Sequence, residues 1–361
     1  MTRVIIMEVV TVIIPAYNVE KYIGQCLDSV LNQSYDNLEV VIINDASTDS
    51  TLEIIQDYIN RDNRISLINY TTNKGNGFGR NDAIVKSTGE YILFVDSDDT
   101  IEKNTVETLL SQAKADNSDV VLYGHRQIAM KHRKVQSCIE FIPDQNLTDL
   151  EKDDLYVRFL LQKSGLFIQP WKYFVKRSLL IDCKIGFDES GIYYEDIIYS
   201  SKLLYHIDKL SVVGLPLYNY FTRKGSITKT WTRKTIESRF SAIISVREFL
   251  KQAKVFNQYK NAYAVFFIST GFVQSYADYI RMEKEDREVK NFLYQISCSD
   301  FIRHFDISRT GIPDSLLKAR SKYDIDYYKI SRLALYLSRN FGFAVSYGKF
   351  LQKIFRISRR F

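Results

Sequence analysis

Three carboxylates, Asp96, Asp98 and Asp99, follow directly on the apolar run Tyr91-Ile92-Leu93-Phe94-Val95. Acidic side chains repel one another and are costly at the edge of a core, so something cationic is expected to offset them. Hard divalent ions such as Mg²⁺ and Mn²⁺ take oxygen ligands and often bridge one or two carboxylates to a substrate's phosphates. A solvated loop that happens to be acidic is the competing reading. A second acidic pair, Glu195-Asp196, opens a helical pattern that runs to Leu204, where plain complementarity to a helix N-terminus would account for it. Between the two, Gly75-Asn76-Gly77-Phe78-Gly79-Arg80 suits a diphosphate at a helix N-terminus, with Lys74 and Arg80 nearby, or simply a glycine loop entering a helix.

The elements that must position these residues alternate strand and helix. Val9 to Ile14 is a continuous β-branched run, the mark of a strand buried on both faces, and Pro15 is expected to end it. Tyr22, Ile23, Leu27, Val30 and Leu31 recur on one helical face. Leu38 to Ile43 reads as a second strand, and Ser47 or Asp49 as the cap of a helix over Leu52 to Ile59. A third strand (Ile65 to Tyr70), a third helix (Gly79 to Ser87) and a fourth strand (Tyr91 to Val95) follow. Successive β-α-β crossovers predict a doubly wound, mostly parallel α/β sheet. In such sheets ligands collect beyond the carboxyl ends of the strands. Pro15-Ala16-Tyr17-Asn18, Asn44-Asp45, Asn73 to Arg80 and Asp96 to Asp99 all stand at such ends, so four weak signals converge on one crevice.

Other nucleotide sites fail on specifics. A P-loop motif is missing, and the glycines expected after the first strand of a dinucleotide-binding fold are replaced by Pro15-Ala16-Tyr17-Asn18. That tetrapeptide, with Val10 to Ile14 before it, then Ile43 to Asp49, Asn73 to Asn81 and Asp96-Ser97-Asp98, resembles the family 2 glycosyltransferases. These are inverting enzymes with the GT-A nucleotide-sugar fold. The likeness is strong over about the first 110 residues and looser at Trp171-Lys172 and Tyr194-Glu195-Asp196.

The resemblance implies roles. Pro15, Ala16 and Tyr17 flank the nucleotide base, with the Tyr17 ring available to stack on it. Asp45 accepts the imide N–H of uracil, and Asn73 and Arg80 complete the nucleoside and phosphate contacts. Asp96 meets the ribose or the metal, and Asp98 ligates Mn²⁺ or Mg²⁺. Asp99 is read as a helix cap. Glu195 and Asp196 form the catalytic acidic pair, Asp196 being the general base. Trp171 is weaker, an acceptor-side wall or a core aromatic. Arg223 and Ser226 fall in a loop the family places near the diphosphate, or in an ordinary turn.

The rest of the sequence sets bounds. A chain of 361 residues, 45% hydrophobic and 25% charged, is globular and large enough for about two domains. Three regions are expected: a nucleotide-sugar half (9–105), an acceptor half (106–232) and a helical C-terminal region (233–361). Cys26, Cys138, Cys183 and Cys298 lie far apart and read as reduced thiols, and the four histidines lack zinc spacing. The start carries no secretory signal pattern, no apolar run is long enough to span a membrane, and Met7 could serve as initiator. These features predict a cytoplasmic chain. The net charge of +6 is a tail property: residues 327–361 hold eight Lys or Arg and no acid, which leaves +6 − 8 = −2 elsewhere. Phe343, Tyr347, Phe350, Ile354, Ile357 and Phe361 form one helical stripe opposite basic residues. This is the pattern of an interfacial helix on an anionic membrane, with docking on the body or on a partner chain as the alternative. Nucleic acid is a poor fit to a slightly acidic body without a recognition motif.

The expected function is therefore transfer of a sugar from a UDP-sugar to a hydroxyl of a glycan or lipid-linked glycan, in capsule or O-antigen synthesis. A non-catalytic sugar-nucleotide-binding scaffold and a soluble processive polymerase are the alternatives.

Overall fold

In a computed structural model, residues 8–131, 134–162, 166, 168–191, 193–222, 232–281 and 287–297 are described. The loop holding Arg223 and Ser226, and the stripe at 343–361, lie outside them. Contacts divide the chain into two units. One comprises Met1–Tyr156, Gly165–Gly191 and Glu195–Lys224, the other Val157–Ser164, Ile192–Tyr194 and Gly225–Phe361.

The first unit begins with β1 (Val10–Ala16), α1 (Ile23–Leu31), β2 (Leu38–Asp45), α2 (Thr51–Ile59), β3 (Ile65–Tyr70), α3 (Asn76–Lys86) and β4 (Tyr91–Phe94). It continues through β5 (Thr100–Ile101), α4 (Thr105–Asp116), β6 (Val120–Lys131) and β7 (Lys134–Phe141). The helix α5 (Lys152–Leu160), whose residues from Val157 on fall in the second unit, is followed by β8 (Tyr173–Lys176), α6 (Arg177–Asp182), α7 (Glu195–His206) and β9 (Leu210–Thr222). The strands form a single sheet in the order β3-β2-β1-β4-β8-β6-β9-β5, with β7 on β6. From β3 to β4 all pairings are parallel, as the alternating pattern predicts. Beyond β4 the sheet is mixed, because β8 runs antiparallel to both β4 and β6 while β6 and β9 are parallel.

Pro15 does not end β1. The strand runs on to Ala16 because Pro15 still pairs in register with Ile43 of β2. Its missing N–H faces the β4 side, as the groups of Ile13 two residues earlier do, and there the ladder ends with Val95 N–H donating to Ile13. The helix α3 starts three residues earlier than its apolar pattern suggested, so the glycines lie in its first turn. Gly75 precedes it with φ +86°, a conformation that side chains with a Cβ adopt poorly. A Cβ on Gly77 would meet the Asp188 carbonyl at 2.1 Å, and one on Gly79 would meet Ile43 Cγ2 at 2.8 Å. These glycines therefore let α3 wedge between β2 and the segment before α7.

The second unit contains α8 (Arg233–Gln252), α9 (Phe256–Phe266), a π-helical turn (Phe267–Val273), α10 (Gln274–Arg281) and α11 (Arg287–Ser297). Thr232 and Thr235 cap α8 reciprocally. Phe240 meets Phe267 and Phe292 edge-on in its core. A buried ion pair, Arg239 to Asp278 at 2.5 Å, is completed by Ser275 and by the hydroxyl of Tyr194 at 2.6 Å.

Candidate active site

The loops after β1 and β2 are laced together by short polar side chains. Asn18, in the left-handed region at φ +52°, accepts from Thr48 N–H at 2.8 Å and donates its own N–H to Ser47 Oγ at 3.1 Å. The N-cap of α2 is Ser50 rather than Ser47 or Asp49; Asp49, just before it, accepts from Thr51 N–H at 3.0 Å, and Ser47 joins the cross-link. Pro15 and Ala16 are buried at the end of β1, whereas the Tyr17 ring stands 46% exposed at the mouth.

Asp45 is buried at the end of β2 and holds the glycine loop. Its Oδ1 accepts from Lys74 N–H at 2.7 Å and its Oδ2 from Gly75 N–H at 2.8 Å, while Asn73 donates to its carbonyl at 3.3 Å. Each carboxylate oxygen has a second lone pair, so the group keeps capacity for one more donor. Lys74 Nζ lies over the rings of Tyr70 and Phe78 at 4.7 and 4.3 Å.

Arg80 is the hub of the other half of the site. Only 3% exposed, its guanidinium reaches Asp96 at 3.0 Å, Glu195 at 3.1 Å and Asp196 at 3.4 Å. Burial opposes its charge, but Asp196, Asp96 and Glu195 outweigh that cost and hold the cation. Its Nε is buried without a partner among the described residues. Arg80, expected to help complete the nucleoside and phosphate contacts, meets these three carboxylates. Three acids around one cation leave formal negative charge. Burial, then the charge of Glu195, push Asp196 well above the ordinary carboxylate range, against the pull of Arg80. A carboxylate raised in this way suits proton abstraction near neutral pH.

The turn Asp96-Ser97-Asp98-Asp99 closes with Asp99 N–H donating to the Asp96 carbonyl at 2.9 Å, and Asp98 is half-buried in its third position. Asp99 is no helix cap, since the short strand β5 follows it. Its Oδ1 accepts from Phe221 N–H at 2.8 Å and its Oδ2 from the Tyr218 hydroxyl at 2.9 Å. Among the described residues, no three His, Cys, Asp or Glu side chains are grouped to hold a metal ion by themselves. The donor set is one or two carboxylates at a turn. That fits Mg²⁺ or Mn²⁺ completed by substrate phosphates and water, and does not fit an all-protein cage.

Trp171 belongs to the core rather than to an open wall. It is 4% exposed, stacked on Tyr218 at 4.3 Å and on Tyr220 at 5.8 Å, with His125 against its edge. Lys172 beside it is also buried, 3.2 Å from His125 Nδ1, and burial followed by that cation push the imidazole down to about 3. Tyr218 and this buried Lys–His contact carry no signature in the sequence, where a tyrosine in an apolar run reads only as strand propensity.

Residues 11–180 match the family model Glycosyl transferase family 2. Glycosyltransferase GlyA of Streptococcus pneumoniae serotype 4 is 31% identical over 247 residues, 65% of this chain and 33% of that one. A poly(ribitol-phosphate) beta-glucosyltransferase of Bacillus spizizenii is 33% identical over 218 residues, 60% and 32% of the two chains. The chain thus spans about a third of the length of these two relatives. The crystal structure of S. aureus TarS 1–349 in complex with UDP-GlcNAc has a TM-score of 0.64 at 22% identity, with 92% of each chain covered, a likeness of fold. No helix among the described residues is long and apolar enough to cross a membrane. With the matched motifs standing at the strand ends where the sheet gathers ligands, residues 11–180 are a glycosyl transferase family 2 domain, in a fold of the GT-A type.

Proposed function

We propose that the chain is an inverting, metal-dependent transferase that moves a sugar from a UDP-sugar to a hydroxyl of a surface glycan or lipid-linked glycan. The observation that carries this reading is the acidic hub of Asp96, Glu195 and Asp196 around Arg80, because it places a raised carboxylate beside the acidic turn. Tyr17 stacks on the uracil and Asp45 accepts its imide N–H, a donor that cytosine lacks. Asn73 holds the loop that Asp45 anchors. Asp98, with Asp96, would hold Mn²⁺ or Mg²⁺, which would neutralise charge on the departing diphosphate as a Lewis acid. Asp196 takes the proton of the acceptor hydroxyl as that oxygen attacks the anomeric carbon from the face opposite the diphosphate, and Glu195 shares the Arg80 counter-charge. Inversion agrees with the β product in the name of the Bacillus spizizenii relative, and a UDP-sugar with the nucleotide bound to TarS.

We place the enzyme on the cytoplasmic face of the membrane, with the basic stripe at 343–361 holding it near a lipid-linked acceptor. Residues 9–105 are assigned to the donor, 106–232 to the acceptor and 233–361 to this helical region. NMR of the product from an α-linked UDP-sugar tests the reading. A single β-linked product is expected. An α-linked product contradicts inversion, and a ladder of products favours the processive polymerase.

A further inference from the structure

Asp99 and Tyr218 are buried polar groups that the transfer reaction leaves unexplained. Their bonds converge on one place. The Asp96 N–H, at the first residue of the acidic turn, donates to the Tyr218 hydroxyl at 3.1 Å. The same hydroxyl donates to Asp99 Oδ2, at the last residue, at 2.9 Å. One oxygen therefore ties both ends of the turn to β9, and Ser97 and Asp98 lie between the tied ends. Phe221 N–H holds the other oxygen of Asp99, so the carboxylate cannot swing away. The phenol itself has little freedom, because Tyr218 is fully buried and its ring lies on the Trp171 indole at 4.3 Å with 10° between planes. Trp171 thereby gains a use that its buried position denies it as a sugar platform.

We propose that Tyr218, acting with Asp99, is a positioning residue for Asp98 as a cation ligand. It rests on the reading of Asp98 given above. A carboxylate that supplies one of very few protein ligands must be presented at a fixed height and angle, and this hydroxyl ties both ends of the turn to β9. Outer-shell groups that orient metal ligands typically change affinity by about 10–100-fold when removed.

Electron paramagnetic resonance titration of Mn²⁺ into full-length protein with saturating UDP tests this without any turnover. Tyr218→Phe is expected to weaken Mn²⁺ binding by about tenfold or more, with UDP binding in chelator within twofold of wild type. Mn²⁺ affinity within twofold of wild type in folded Tyr218→Phe overturns the proposal, whatever happens to its melting temperature. Should that variant fail to fold, Asp99→Asn is read by the same two outcomes. Asp98→Ala separates the two levels of inference. If it too binds Mn²⁺ like wild type, the metal reading falls and this proposal with it. If it binds weakly while Tyr218→Phe does not, only the positioning role falls.

Discussion

Two parts of the site treat their carboxylates in opposite ways. Asp45, at the end of β2, is met by two backbone N–H groups and keeps acceptor capacity for a ligand. The cluster of Asp96, Glu195 and Asp196 shares a single guanidinium and holds its protons more tightly at Asp196. In the proposed function the first arrangement is assigned to recognition: it is satisfied before a ligand arrives and adds one directional bond. The second is assigned to the reaction: its charge is unbalanced, so it gains most from a proton, a cation or a developing positive centre. Substitutions should therefore cost turnover and stability at the Arg80 cluster, and only affinity at Asp45.

The largest expected effect is at Asp196. Asp196→Asn should lower kcat by about 10²–10⁴, the usual worth of general-base assistance, with donor KM within a few-fold. In wild type the acid limb of the kcat profile should fall above the ordinary carboxylate range near 4, because Asp196 must be ionised to act and its pKa is raised. The same shift fixes the sign for stability, which should be higher at acid pH and decline as pH rises through the raised value. An acid limb at or below about 4 would contradict the general-base role proposed for Asp196.

Next comes Arg80→Met, which leaves three acids around an apolar side chain. Breaking a buried pair costs about 3–5 kcal/mol, and the lower end applies because Asp96 and Asp196 keep 30% and 25% of their side-chain surface exposed. Urea unfolding at pH 7 should show a loss of about 3 kcal/mol that shrinks at acid pH. The smallest effect is at Asp45→Asn. Replacing a charged acceptor should weaken UDP by about tenfold and narrow its advantage over CDP, with kcat nearly unchanged, as calorimetric titration would show.

The placement of the half assigned to recognition was legible in the sequence because its polar groups follow their strands. A run such as Val10 to Ile14 announces a buried parallel strand, and parallel strands bring their carboxyl ends to one edge. The second half was not legible in the same way. The antiparallel entry of β8, the burial of Trp171 and the tie from Tyr218 to Asp96 join residues 48 to 122 positions apart, and no local pattern encodes such pairings. Asp99 misled for this reason: a carboxylate after a strand reads as a cap, and its true partners lie on β9.

UDP release from a panel of UDP-sugars, with Mn²⁺ and with chelator, in wild type and Asp98→Ala, tests the central claim most directly. Release by wild type that needs the metal and falls by at least about 10²-fold in Asp98→Ala is the expected result. Full release in chelator, an Asp98→Ala variant as active as wild type, or UDP binding with no release from any donor would contradict it.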